Sequence, residues 1–147
     1  MIAVDTNVLV FAHRRHLAPH RQAVGWLRAL AEGKTPWGIP VFCLGEFVRI
    51  VTHPGVFDPP STIRQATSAL RSVLDSPTVR ILRPSDNFPA LFQDALERAD
   101  ARGNLAFIAQ VAAVCREHGA ADLLTMDRDF ARFDKIHMIS LEEDPPS

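Results

Sequence analysis

The chain has 147 residues, 47% of them hydrophobic, which is the size of one ordinary domain with enough apolar material for a core without disulfide or metal staples. Its formal net charge of −1 excludes attraction of polyanions by the overall field, so any nucleic-acid contact has to come from a local patch. No stretch approaches the ~20 apolar residues of a membrane span, and no signal-peptide pattern opens the chain, so the expectation is a soluble, cytoplasmic protein with no membrane contact.

In chain order, Ile2-Ala3-Val4 is a short apolar run read as a first strand, and it stops at Asp5-Thr6-Asn7. Residues 19–31 form a helix candidate with Val24, Leu27 and Leu30 on one face. Trp37 to Ile39 is a second strand between Pro36 and Pro40, and Val41 to Val51 is helical, closing before His53-Pro54. Four Pro and Gly residues (Pro54, Gly55, Pro59, Pro60) make 53–60 a loop. Ser61 then stands where an N-cap belongs, opening a helix to about Leu74. A strand at Val79–Leu82, a helix near 87–100, a break at Gly103, a helix over 104–118, and strands at 123–125 and 136–139 complete the series. Strands alternating with helices predict an α/β domain over 1–142, three-layered with a mainly parallel sheet of about five strands, and a short flexible tail at 143–147. Cys43 and Cys115 lie inside apolar runs, where buried free thiols are expected.

In open α/β sheets, sites form outside the carboxyl ends of the strands. Asp5 and Asp127 fall there, although either is also good cap or turn chemistry. Glu46 lies opposite the stripe of Leu44, Phe47, Val48 and Val51, yet Phe42, Cys43 and Ile50 flank it. A helix apolar nearly all round is usually buried, and a buried carboxylate has to be paired, protonated or coordinated. Two readings of Glu46 stand side by side: an ion pair with Arg49, three residues on, or a metal ligand. Three carboxylates meeting in one cleft need a cation, and hard oxygen ligands suit Mg²⁺ or Mn²⁺. Such a centre activates water and stabilises the charge of a phosphodiester in displacement. No Gly-x-Ser-x-Gly, Walker loop, Gly-x-Gly-x-x-Gly or zinc spacing competes.

The sequence resembles the PIN-domain family and, within it, the VapC toxins of type II toxin–antitoxin systems. The matching pieces are Ile2 to Val10, Glu46-Phe47 with Val51-Thr52-His53-Pro54, Gly103-Asn104-Leu105, Glu117-His118-Gly119, and Leu124-Thr125-Met126-Asp127-Arg128-Asp129-Phe130. The resemblance implies a metal-dependent endoribonuclease acting on RNA, a cognate antitoxin that silences it, and a homodimer. It places metal carboxylates at Asp5, Glu46 and Asp127 with Asp129 as a further acidic position, and supporting polar groups at Thr6, Asn7 and Thr125. The family's third acidic position falls on Ile108, which binds no cation, and Asp100 lies before the Gly103 break. An impaired nuclease and a catalytically inactive module that binds antitoxin or RNA are therefore both expectations, with a phosphatase or DNA nuclease behind them. Arg14 and Arg15, in a basic cluster with His16, His20 and Arg21, and Arg128 are the candidates for RNA phosphates.

Overall fold

The computed structural model describes residues 1–147. Its elements are β1 (Ile2–Val4), α1 (Thr6–His13), α2 (His20–Glu32), β2 (Trp37–Pro40), α3 (Val41–Val51), α4 (Ile63–Leu74), β3 (Val79–Leu82), α5 (Phe88–Ala99), α6 (Asn104–Glu117), β4 (Asp122–Leu124), the 3₁₀ turn Arg128–Arg132 and β5 (His137–Ile139). The strands form one sheet in the order β3-β2-β1-β4-β5, and every pairing is parallel. Helix α1 packs on both α2 and α3, and α3 on α4, while α5 and α6 pair and α6 meets the 3₁₀ turn. The expected three-layer α/β architecture holds, with the sheet wholly parallel.

The pattern of burial explains the topology. Strands buried on both faces read as continuous apolar runs, and Ala3, Val4, Ile39, Leu123 and Leu124 are fully buried at the centre of the sheet. The edge strands β3 and β5 are only partly covered. β2 and β3 approach closely at Gly38, where an added Cβ would stand 2.8 Å from the Leu82 side chain. Helix α6 is the central helix of the core: Ile108, Ala109, Val111, Ala112, Ala113, Val114 and Cys115 are all buried. No helix is long and apolar enough to cross a membrane.

Several local expectations change. The helix α1 begins directly after β1, capped by Asp5, whose side chain accepts from the Thr6 amide. Helix α4 is capped by Thr62, not Ser61: the Thr62 hydroxyl and the Gln65 side chain form a reciprocal capping box. Ser61 is instead buried, and its amide donates to the Val51 carbonyl at 2.7 Å. The strand expected at 123–125 runs from Asp122 to Leu124, so Thr125 already belongs to the loop that leaves the sheet. The buried Trp26 donates its indole N–H to the Glu143 carbonyl at 3.0 Å, which ties down the first residue of the expected tail. Both cysteines are free and buried.

Candidate metal centre at the carboxyl edge of the sheet

Strand order fixes where the site lies. The chain steps outward from β1 to β2 and β3, then returns to the other side of β1 with β4 and β5. The reversal leaves a crevice between the carboxyl ends of β1 and β4, the place where open parallel sheets hold ligands. Asp5 follows β1 and Asp127 follows β4 across that crevice; the Asp5 amide donates to the Leu124 carbonyl at 3.1 Å.

Asp5 is held from three segments of the chain. Its Oδ1 accepts from the Thr6 amide at 2.8 Å and from the Cys43 thiol at 3.7 Å; its Oδ2 accepts from the Thr125 hydroxyl at 2.7 Å and from Asn7 Nδ2 at 3.0 Å. Thr125 in turn receives the Asp127 amide at 3.0 Å and Asn7 Nδ2 at 3.1 Å, while Asn7 Oδ1 accepts from the Met126 amide at 3.2 Å. Asp127 Oδ1 caps the following turn by accepting from the Asp129 amide at 2.9 Å. The cap readings of both aspartates are thus correct, and they coexist with a shared place at the crevice. Burial pushes the Asp5 carboxyl above its ordinary pKa against the pull of these donors, and the charge of Asp127 adds to the rise.

A cavity of about 580 Å³ opens at this point, and Asp5, Glu46 and Asp127 all line it. Glu46 is not the buried carboxylate expected: its side chain keeps 21% exposure and is gripped by Arg49, with Nη2 at 2.5 Å from Oε1 and Nε at 3.1 Å from Oε2. The reason is the face of α3, which buries Cys43, Phe47 and Val51 and leaves Glu46 on the cavity wall. The ion-pair reading of Glu46 is therefore the geometry found, within the cavity that holds the aspartates.

The remaining sequence-derived positions divide clearly. Thr6 and Asn7 line the cavity, and Ile108 lines it too, 7% exposed, beside Asn104 and Phe107 on the first turns of α6. Asp129 is exposed, and its contact with the cluster is its backbone amide on Asp127. Asp100 caps α5 in a left-handed conformation (φ 46°) and pairs with Arg102, away from the cavity. Arg14 turns inward: its guanidinium lies 4.1 Å from the Phe57 ring centroid and donates to Ser61 Oγ and to the Pro59 carbonyl. Arg15 and Arg128 are exposed. Sequence reading missed Cys43 as a donor to Asp5, and Arg49, Asn104 and Phe107 as cavity residues. The helical spacing of 104, 107 and 108 was the signal available for the last two.

The donor set can be tested against a divalent cation. No three His, Cys, Asp or Glu side chains close into a ready cage, so a cation that demands full protein coordination does not fit. Mg²⁺ and Mn²⁺ keep several waters and need only one or two carboxylates with substrate phosphate. Asp5, Glu46 and Asp127 put that kind of carboxylate set on the wall of one open cavity. The residues fit a water-rich, carboxylate-bound ion of that kind.

A parallel-sheet domain with an acidic crevice at its switch point is the class that fold and site define together. The chain belongs to the PIN-domain family, whose model matches residues 2–136. It is 38% identical over 136 residues to the VapC ribonuclease Mb2897 of Mycobacterium bovis, spanning 92% of each chain, and equally to ribonuclease VapC43 of Mycobacterium tuberculosis. Among solved structures, VapBC2 from Rickettsia felis superimposes with a TM-score of 0.69 at 21% identity, covering 95% of this chain and 98% of that one. The sarcin–ricin-loop-cleaving toxin VapC20 of Mycobacterium tuberculosis matches with a TM-score of 0.67 at 23% identity, covering 93% and 99%. At those identities the structural likeness establishes the fold.

Proposed function

We propose that this chain is the toxin of a type II toxin–antitoxin pair, a divalent-metal-dependent endoribonuclease. The observation that carries the reading is the joint lining of one crevice by Asp5, Glu46 and Asp127 in a PIN-family chain. Its curated relatives at 38% identity are named ribonucleases, which supports RNA as the substrate. The VapBC and FitAB assemblies among its fold neighbours support a cognate antitoxin as partner. A homodimer and a cytoplasmic location belong to the same reading.

In this reading Asp5, Glu46 and Asp127 hold Mg²⁺ or Mn²⁺, with Asp129 within a residue or two of the cluster. The ion supplies charge neutralisation at the phosphodiester and activation of water. The protein's own part is orientation. Thr125 bonds Asp5 and the Asp127 backbone at once, so one hydroxyl sets the spacing of the two aspartates across the switch point. Asn7 bridges Asp5, Thr125 and the Met126 amide, locking the loop after β4 to the start of α1. The thiol of Cys43 is kept protonated by burial and by the neighbouring Asp5 charge, so it acts as a donor and not as a nucleophile. Arg15 and Arg128, exposed and in no ion pair, are available to backbone phosphates, whereas Arg14 holds the 57–61 loop.

One observation favours a second reading. Ile108 occupies the cavity wall at the family's third acidic position, so the chain is alternatively an inactive module that binds antitoxin or RNA. The test is Mn²⁺ calorimetry together with cleavage of RNA, DNA and small phosphoesters by the parent and by Asp5→Asn. RNA cleavage and Mn²⁺ binding, both lost in Asp5→Asn, are the expected results. Tight RNA binding without cleavage at any Mn²⁺ concentration selects the inactive module, and turnover of DNA or phosphoesters in preference to RNA sinks the substrate assignment.

A further inference from the structure

Within the acidic cavity one cation is already present. Arg49 lines it together with Glu46, and its fork covers both carboxylate oxygens, at 2.5 and 3.1 Å. An incoming divalent ion and this guanidinium want the same oxygens and carry the same sign of charge, so they compete for Glu46. The contest is made sharper by Ile108, because the ion has no further carboxylate on α6 to fall back on.

The two partners are not equally mobile. The Arg49 side chain is 63% exposed and the Glu46 side chain 21%, so the guanidinium can swing into the cleft while the carboxylate stays on its wall. Pairs this exposed are weakly held, which makes the exchange cheap. A guanidinium released at the mouth of a cavity that binds phosphodiester has the planar donor fork that phosphate oxygens take in bidentate fashion.

We propose that Arg49 is a phosphate-binding residue held on Glu46 until a divalent cation displaces it, so that cation and RNA bind with positive coupling. This rests on the metal-nuclease reading above. Reciprocity requires that the coupling act both ways: the ion frees Arg49 for RNA, and RNA, by engaging Arg49, frees Glu46 for the ion. A plain helix-surface ion pair between residues three apart has neither consequence.

The experiment compares the parent with Arg49→Met, which keeps an apolar stem and loses the charge, and with Arg49→Lys. Mn²⁺ affinity is measured by calorimetry without RNA. Affinity for a phosphorothioate single-stranded RNA, its integrity checked on a gel, is measured by fluorescence anisotropy at saturating Mn²⁺ over a range of salt. Arg49→Met should bind Mn²⁺ about two- to fivefold tighter, the range that losing an exposed ion pair allows. It should bind RNA more weakly, with the slope of log K against log salt smaller by about 0.7, one single-strand phosphate contact. Arg49→Lys should fall between the two on both measures. Unchanged or weaker Mn²⁺ binding in Arg49→Met overturns the proposal, and so does an unchanged salt slope. A parent that binds neither Mn²⁺ nor RNA overturns the functional reading itself; a parent that binds both, with the variant moving neither, overturns the role of Arg49 alone.

Discussion

Asp5 holds two positions in one: N-cap of α1 and wall of the acidic crevice. The first keeps its carboxylate oriented by short-range bonds; the second exposes the cost of a buried charge, visible in a pKa raised by burial and by Asp127. Ile108 stands on the same wall with no such conflict. Ile108→Asp should therefore lower metal-free stability by about 1–3 kcal/mol, the scale of an uncompensated buried polar group, and should enlarge the rise in melting temperature on adding Mn²⁺. Thermal melts of parent and variant with and without Mn²⁺ check both signs; a variant whose Mn²⁺ shift equals the parent's shows that position 108 does not reach the ion. His13 offers a separate residue-scale test. His13 Nε2 lies 2.8 Å from Ser61 Oγ, which also accepts from the Arg14 guanidinium, so the imidazole is half-buried beside a positive charge. Burial, helped by Arg14, depresses the His13 pKa below its ordinary 6.5. The unfolded chain then binds the proton more readily than the folded one, so stability is lost as pH falls from about 6.5 toward the depressed folded value. Urea midpoints between pH 7.5 and 5.5 should drop less in His13→Gln than in the parent, and equal drops would show that His13 contributes nothing to that window.

At the scale of elements, the legible parts were those whose signals are local. Val41–Val51 and Val79–Leu82 appear in the sequence as apolar runs closed by Pro or polar residues, and the fold keeps them residue for residue. α1 was harder to see as an element because Val8-Leu9-Val10 reads equally as a continuation of β1; only the Asp-Thr-Asn cap divides them. Two adjacent hydroxyls, Ser61 and Thr62, both suit an N-cap, and what decides between them is the Gln65 side chain three residues beyond Thr62. The site was legible as a list of carboxylates but not as a geometry. The bond from Thr125 to Asp5 joins residues 120 apart, and the thiol of Cys43 reaches Asp5 only once α3 packs on α1. Helix α6 shows the opposite case, an end written fully in the chain. Gly119 (φ 68°) follows Glu117-His118, its amide donates to the Arg116 carbonyl, and the Ala120 amide returns to Cys115 at 2.8 Å. Because a side chain there meets nothing within 4 Å, the cost of Gly119→Ala is one of conformation alone. It should be about 1–2 kcal/mol, read from chemical denaturation, and a loss below ~0.3 kcal/mol would show that the left-handed cap does not hold the end of α6.

For the whole molecule the governing fact is a charge of −1 spread over a domain that is proposed to act on a polyanion. Long-range attraction then contributes little, and affinity depends on a few exposed arginines. Arg14 is spent on Ser61, Pro59 and the Phe57 ring, and Arg98, Arg102 and Arg116 are engaged with Asp94, Asp100 and Asp134. Asp94 shows how firmly that second group is committed: hydrogen bonds from Arg116 and then Arg98 hold its carboxyl below the usual range. Of the arginines that the sequence put forward for phosphate, Arg15 and Arg128 are exposed and in no ion pair, and Arg49 joins them once it leaves Glu46. With about 0.7 of slope per single-strand phosphate neutralised, three contacts give a dependence of log K on log salt of about −2. A strongly basic nucleic-acid binder would be several times steeper. Anisotropy titrations of single-stranded RNA across a range of monovalent salt, in Mn²⁺, measure the slope directly. A value near −2 that falls stepwise in Arg15→Gln and Arg128→Gln supports a short contact that reaches from the acidic crevice to the end of α1. A slope several units steeper would mean that RNA follows a longer path over the surface, and would move the binding face away from the switch point.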